Sequence, residues 1–128
     1  MLRPKIASKH IDGATCLVHL EGEHDVSSAP HLRETLDRLY ETGSYVVVDL
    51  TWATFIDSTI LGELIRAYLR TGESPNEKMA IVAPPGSPAA KLFDLVDAPN
   101  TCFPVFESSD AAMASCGAAV APPAQTPA

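Results

Sequence analysis

Asp57, Ser58 and Thr59 set a carboxylate and two hydroxyls side by side within the stretch TFIDSTILG, where a strand-like apolar run gives way to a helical one. Three chemistries suit such a cluster. A serine hydroxyl attacks acyl groups when a nearby histidine takes its proton. A carboxylate or hydroxyl caps a helix by accepting an otherwise unpaired backbone N–H, worth typically about 1 kcal/mol. An accessible hydroxyl accepts a phosphoryl group, which brings about −1.5 to −2 charges to a surface. The first chemistry lacks its base in the sequence, because His10, His19, His24 and His31 all lie far upstream of Ser58. No G-x-S-x-G, G-x-G-x-x-G or G-x-x-x-x-G-K-[ST] occurs either. Between a helix cap at Asp57 or Ser58 and a phosphoacceptor at Ser58, spacing alone leaves both open.

The other reactive side chains are more scattered. Glu23 and Asp25 form an acidic pair in what reads as a solvated loop over 22–25, and the four histidines read as surface or strand residues rather than ligands. Cys16, Cys102 and Cys116 are odd in number and widely spaced, with no C-x-x-C and no Cys/His cluster at zinc spacing. They read as reduced thiols, and no metal or cofactor is expected.

The elements that must position these groups alternate. A first strand is expected near 3–9, antiparallel to a second over 15–21. Ser27 or Ser28 can cap a helix with Pro30 in its first turn, Leu32, Leu36, Leu39 and Tyr40 on one face, and Gly43 as its stop. Residues 45–50, YVVVDL, form a continuous β-branched run that suits a strand covered on both faces. A second helix begins near Ser58 with Leu61, Leu64, Ile65 and Tyr68 as its core stripe, while Arg66 and Arg70 point elsewhere. GESPNE reads as a loop, MAIVA as a short buried strand ended by Pro84, Pro85 and Gly86, and 87–96 as a third helix with Leu92, Phe93 and Val96 apolar. TCFPVF is expected to supply a last short strand, confined by Pro104, and SSDAAMASCGAA a last helix capped at Ser108 or Ser109. The predicted fold is α/β: a mixed, mostly parallel sheet of four to five strands with about four helices, in one domain over 1–119. A Pro/Ala-rich tail over 120–128 is expected to be disordered.

A chain of 128 residues suits one domain with one ordinary core. Its 46% apolar and 20% charged residues are those of a globular protein. The net charge of −7 disfavours nucleic acid and anionic membrane surfaces as partners. No apolar run is long enough to span a bilayer and no signal-peptide core is present, so a cytoplasmic location is expected.

Three blocks, GEHDVSSAPHLRETL, YVVVDLTWATFIDSTILGEL and KLFDLV, resemble in order and spacing the signature blocks of the STAS domain. They are most similar to stand-alone bacterial anti-sigma factor antagonists, and the resemblance covers nearly the whole chain up to about residue 110. Its most specific part is the pattern of a hydrophobic strand followed by [FY]-[MI]-D-S-[ST]-x-L-G. Two positions depart from the pattern: Ile60 stands where the family usually has Gly, and His24 where it usually has Leu or Ile. Both lie where the family meets its partner.

The resemblance implies a partner switch. The unphosphorylated domain binds an anti-sigma factor and frees a sigma factor for transcription. The anti-sigma factor, often itself an ATP-dependent serine kinase of the GHKL type, phosphorylates Ser58, with Thr59 as the adjacent alternative. The added charge releases the partner, and a phosphatase resets the switch. ATP and its magnesium belong to the kinase, so this chain is substrate and ligand rather than catalyst. The implied contact surface comprises Glu23, His24, Asp25, Ser27, Asp57, Ser58, Thr59, Ile60, Gly62 and Glu63. Asp25 could equally be a turn residue before the helix cap, and Ile60 could equally widen the core stripe. Other readings are a STAS module of a stress-sensing scaffold or transport complex, and a small enzyme using Ser58.

Overall fold

The computed structural model describes residues 3–70 and 79–120. In chain order it contains β1 (Lys5–His10), β2 (Thr15–His24), α1 (Ala29–Glu41), β3 (Tyr45–Asp49), β4 (Ala53–Ile56), α2 (Ser58–Arg70), β5 (Met79–Val82), α3 (Pro88–Leu95), α4 (Ala98–Thr101), β6 (Val105–Phe106) and α5 (Ser109–Val120). The sheet runs β1-β2-β3-β5-β6. Among the described residues only the β1–β2 pairing is antiparallel; the other pairings are parallel. The expected architecture is therefore present, including the antiparallel first strand.

β3 shows why its run of β-branched residues does not alternate. Val46 and Val48 face a core shared with Val18 and Leu20 of β2, Ile81 of β5, and the apolar sides of α1, α2 and α3. Tyr45 and Val47 face the opposite side, with Leu17, Ala80 and Val82 beneath Ala112 of α5. Every residue of β3 is buried, and each fully covered aliphatic side chain contributes roughly 1.5–3 kcal/mol. Phe103 closes the larger core by meeting Tyr68 and Phe93 edge-on, at centroid distances of 5.9 and 5.4 Å.

Arg66 and Arg70, off the apolar stripe of α2, fasten it to α1. Arg66 grips the Asp37 carboxylate with two parallel bonds of 3.0 and 3.1 Å, a planar match that strengthens each bond. Arg70 reaches the same carboxylate and lies 4.5 Å over the Tyr40 ring. These cations, the Arg66 hydrogen bonds foremost, hold the Asp37 carboxyl below its ordinary range. Tyr40, expected on the core face of α1, is instead exposed as the platform for Arg70.

Several expectations need correction. The described residues contain five helices where about four were expected, in keeping with that count; the added α4 spans only one turn, too short for a periodic signal. β4 forms a separate strand after a turn and pairs with β2 beyond the end of β3. The supposed loop at 22–25 is mostly strand, because β2 continues to His24. Gly22 permits this: with φ 83° it occupies left-handed space, and the β2–β4 register shifts between Gly22 and Glu23, as in a bulge. Ser87 and Ser108 cap α3 and α5 through their hydroxyls. In α3 Phe93 is buried, Leu92 half-buried and Val96 exposed. Cys16 is buried and free, and burial pushes its thiol pKa up, while Cys102 is half-buried and free. The GESPNE loop, the side chain of Cys116 and the tail after Val120 lie outside the described residues. No helix among the described residues is long and apolar enough to cross a membrane.

Candidate functional site

β2 and β4 are parallel neighbours, so the segments leaving their carboxyl ends emerge together. His24 stands in register with Ile56. The 25–28 turn follows the first strand end, and Asp57 with the start of α2 follows the second. Residues more than thirty positions apart in sequence thus meet at one end of the sheet, the location where open α/β sheets commonly place their sites.

On the α2 side, the carboxylate and the hydroxyl divide the work. Asp57 is the N-cap: its Oδ1 accepts the N–H groups of Thr59 at 3.0 Å and Ile60 at 3.1 Å. The Ser58 hydroxyl takes no part in the cap, is exposed, and makes no hydrogen bond among the described residues. Thr59 is half-buried. No histidine among the described residues bonds to Ser58; His24, in register with Ile56 at this end of the sheet, engages Ser28 and Glu21 instead.

On the β2 side, Asp25 builds a tight turn. Its carboxylate accepts the Ser27 hydroxyl at 2.6 Å and the Ser27 N–H at 2.9 Å. These two bonds, the hydroxyl first, hold the Asp25 carboxyl below its ordinary range. The Asp25 carbonyl accepts the N–H groups of Ser28 and Ala29, both at 3.1 Å. Glu23 is half-exposed opposite Phe55. Val26 and Phe55, 68% and 48% exposed, give this end of the sheet apolar surface beside its acids.

Not every predicted contact residue has its side chain on the surface. His24 and Ile60 are both fully buried. Ile60 packs with Leu61 and Leu64 in the core, so its side chain does not protrude toward a partner; it widens the apolar face of α2. His24 is a core residue rather than a loop residue, for the strand reasons given above. Glu63 pairs with Arg33 of α1 at 3.0 Å and is largely covered. Gly62 is exposed, and a Cβ built there would meet nothing within 4 Å. Sequence reasoning missed Ser28 as the partner of His24, although the H-x-x-x-S spacing carries the signal.

The model of the STAS domain matches residues 5–112. The chain belongs to the STAS domain family. Among solved structures, this STAS domain resembles an anti-sigma factor antagonist from Mycobacterium paratuberculosis, at 23% identity and a TM-score of 0.79, covering 89% of this chain and 94% of that one. It also resembles a putative anti-sigma factor antagonist from Thermotoga maritima, at 18% identity and a TM-score of 0.65, covering 87% and 93%. The Bacillus cell fate determinant SpoIIAA in its phosphorylated form aligns at 15% identity and a TM-score of 0.61, covering 84% and 96%. At these identities the likeness is one of fold. No curated protein matches the sequence.

Proposed function

We propose that this STAS domain is an anti-sigma factor antagonist that switches partners through the phosphorylation state of Ser58. The observation that carries the reading is the division of labour at the start of α2. Asp57 caps the helix, which leaves the neighbouring Ser58 hydroxyl exposed and uncommitted. Unphosphorylated, the domain binds an anti-sigma factor through the 23–27 segment, the Ser58 turn and the exposed flank of α2. That partner, a serine kinase of the GHKL type, transfers phosphate from its own ATP to Ser58, and a phosphatase removes it.

Two further features support the reading. Gly62 lies one helical turn after Ser58 on the same side of α2. Nothing among the described residues requires a glycine there, and glycine weakens a helix by about 1 kcal/mol relative to alanine. Close approach of another backbone would explain it. A phosphate on Ser58 would also follow directly on Asp57, at the end of the sheet that carries Asp25, so the new charge adds to an acidic surface. A penalty of a few kcal/mol in a desolvated contact suffices for release, because each 1.4 kcal/mol is about tenfold in affinity. Catalysis by Ser58 itself has no support, since no base among the described residues is bonded to it.

The test is capture of partners from the native cell with the tagged chain, followed by incubation with ATP and phosphosite mapping. Recovery of a kinase-like anti-sigma factor with phosphate on Ser58 is expected. Capture of a transporter or scaffold subunit with Ser58 unmodified would point to another STAS assembly.

A further inference from the structure

His24 is fully buried at the junction of the two halves of the candidate site. Its neighbours fix its tautomer. Nε2 lies 2.9 Å from the Glu21 carbonyl, which can only accept, so Nε2 carries the proton. Nδ1 is then an acceptor, 3.0 Å from the Ser28 hydroxyl. That contact displaces a more ordinary one: Ser28 is the N-cap of α1, yet its hydroxyl bonds no helix N–H. The imidazole thus ties the end of β2 to the start of α1 across the base of the 25–27 loop.

The network has a second state. If Nδ1 gains a proton from solvent, it must donate to the Ser28 oxygen. The Ser28 hydroxyl proton then turns to its other acceptor, the Asp25 carbonyl 3.3 Å away. That carbonyl already accepts two backbone N–H groups, which use both lone pairs. A third donor competes with the bonds that form the turn.

We propose that His24 is a positioning residue: neutral, it holds the 25–27 loop in register with the Ser58 turn, and its protonation loosens that loop. Burial works against the imidazolium and lowers the His24 pKa from its ordinary value. Of the charged groups around it, Asp25 favours protonation and His31 on α1 opposes it. β1 presents the Lys5 carbonyl, which favours it, and β4 presents the apolar Ile56. The loop therefore loosens only under acid conditions. The functional consequence rests on the partner reading above, whereas the coupling itself belongs to the free chain.

The experiment is a nitrogen-15 NMR titration of the full chain from neutral to acid pH, on wild type, His24→Gln, His24→Leu and Ser28→Ala. In the wild type, the His24 ring is expected as the Nε2–H tautomer with a midpoint below about 6.5. The amide signals of Ser27, Ser28 and Thr59 should move with that same midpoint. Glutamine can donate and accept as the neutral ring does, so His24→Gln should keep the neutral-pH signals and abolish the shift. Ser28→Ala should leave the ring titrating while the loop no longer follows. Loop signals that ignore the His24 midpoint, or that shift unchanged in His24→Gln, would overturn the proposal. If His24→Leu does not fold, the other three proteins decide the question. Loop movement with the His24 midpoint in a chain whose 23–27 face binds no anti-sigma factor would instead count against the partner reading alone.

Discussion

At the scale of single residues, Asp57 and Ser58 are adjacent and chemically similar as hydrogen-bond acceptors, yet they have different tasks. Asp57→Ala removes the acceptor for two helix N–H groups and should cost about 1 kcal/mol in urea unfolding. Ser58→Ala should change stability by less than about 0.5 kcal/mol, because no internal contact is lost. A large loss in Ser58→Ala would mean that the hydroxyl is structural. Ile60→Gly adds a helix penalty of about 1 kcal/mol to the loss of a buried aliphatic chain, typically 2–5 kcal/mol. It should therefore weaken the fold severely; an Ile60→Gly protein of near wild-type stability would contradict the core placement. From the sequence, either Asp57 or Ser58 could be the cap, since both types cap helices equally well. Only the direction of the two side chains separates them. Ile60 was ambiguous for a similar reason: it sits at the margin of the stripe, where a rotation of a few degrees decides between core and surface.

At the scale of elements, α2 carries both a packed face and an exposed one, and Gly62 belongs to the exposed face. Gly62→Ala should raise stability, by up to about 1 kcal/mol, because the added Cβ meets nothing and the helix gains propensity. The same substitution should weaken capture of the partner, so stability and affinity move in opposite directions. Unchanged affinity would remove Gly62 from the contact surface. The long elements were legible because periodicity and caps agree: α1, α2, β3 and β5 fall where their apolar patterns place them. The end of β2 was not. Gly22, Glu23 and Asp25 have the composition of a turn, and the partner that draws Gly22, Glu23 and His24 into a strand is β4, a four-residue segment brought alongside by tertiary pairing. Local propensity has no access to that pairing. The arginines of α2 were legible as off the core, but their common target Asp37 lies on another helix, 29 and 33 positions away.

At the scale of the whole molecule, the depressed and raised pKa values set the pH range of stability. His24 has a folded pKa below its unfolded one, so the unfolded chain binds more protons under mildly acid conditions. Stability is full above about 6.5 and falls as pH drops below it. Asp37, also depressed, adds a second loss below about 4, as its pairing with Arg66 and Arg70 fails. Cys16 and Tyr68 are raised by burial, so they act on the alkaline side, where stability falls as pH rises beyond their unfolded values. Chemical unfolding across pH should give a plateau near neutrality with two acid limbs, and His24→Gln should erase the first. An unaltered first limb in that variant would assign it to another group. The family blocks made the α/β fold legible over nearly all of the described chain, and the placement of the 25–27 loop and Ser58 at the same end of the sheet follows from parallel strands sharing that end.

The most direct test is the affinity of the captured anti-sigma factor for four forms of the chain: unmodified, phosphorylated, Ser58→Ala and Ser58→Glu. The unmodified and Ser58→Ala proteins should bind alike, the phosphorylated protein at least tenfold more weakly, a difference of about 1.4 kcal/mol or more, with Ser58→Glu also weakened. Equal affinity of the unmodified and phosphorylated proteins, or phosphate found on Thr59 and never on Ser58, would contradict a switch at Ser58.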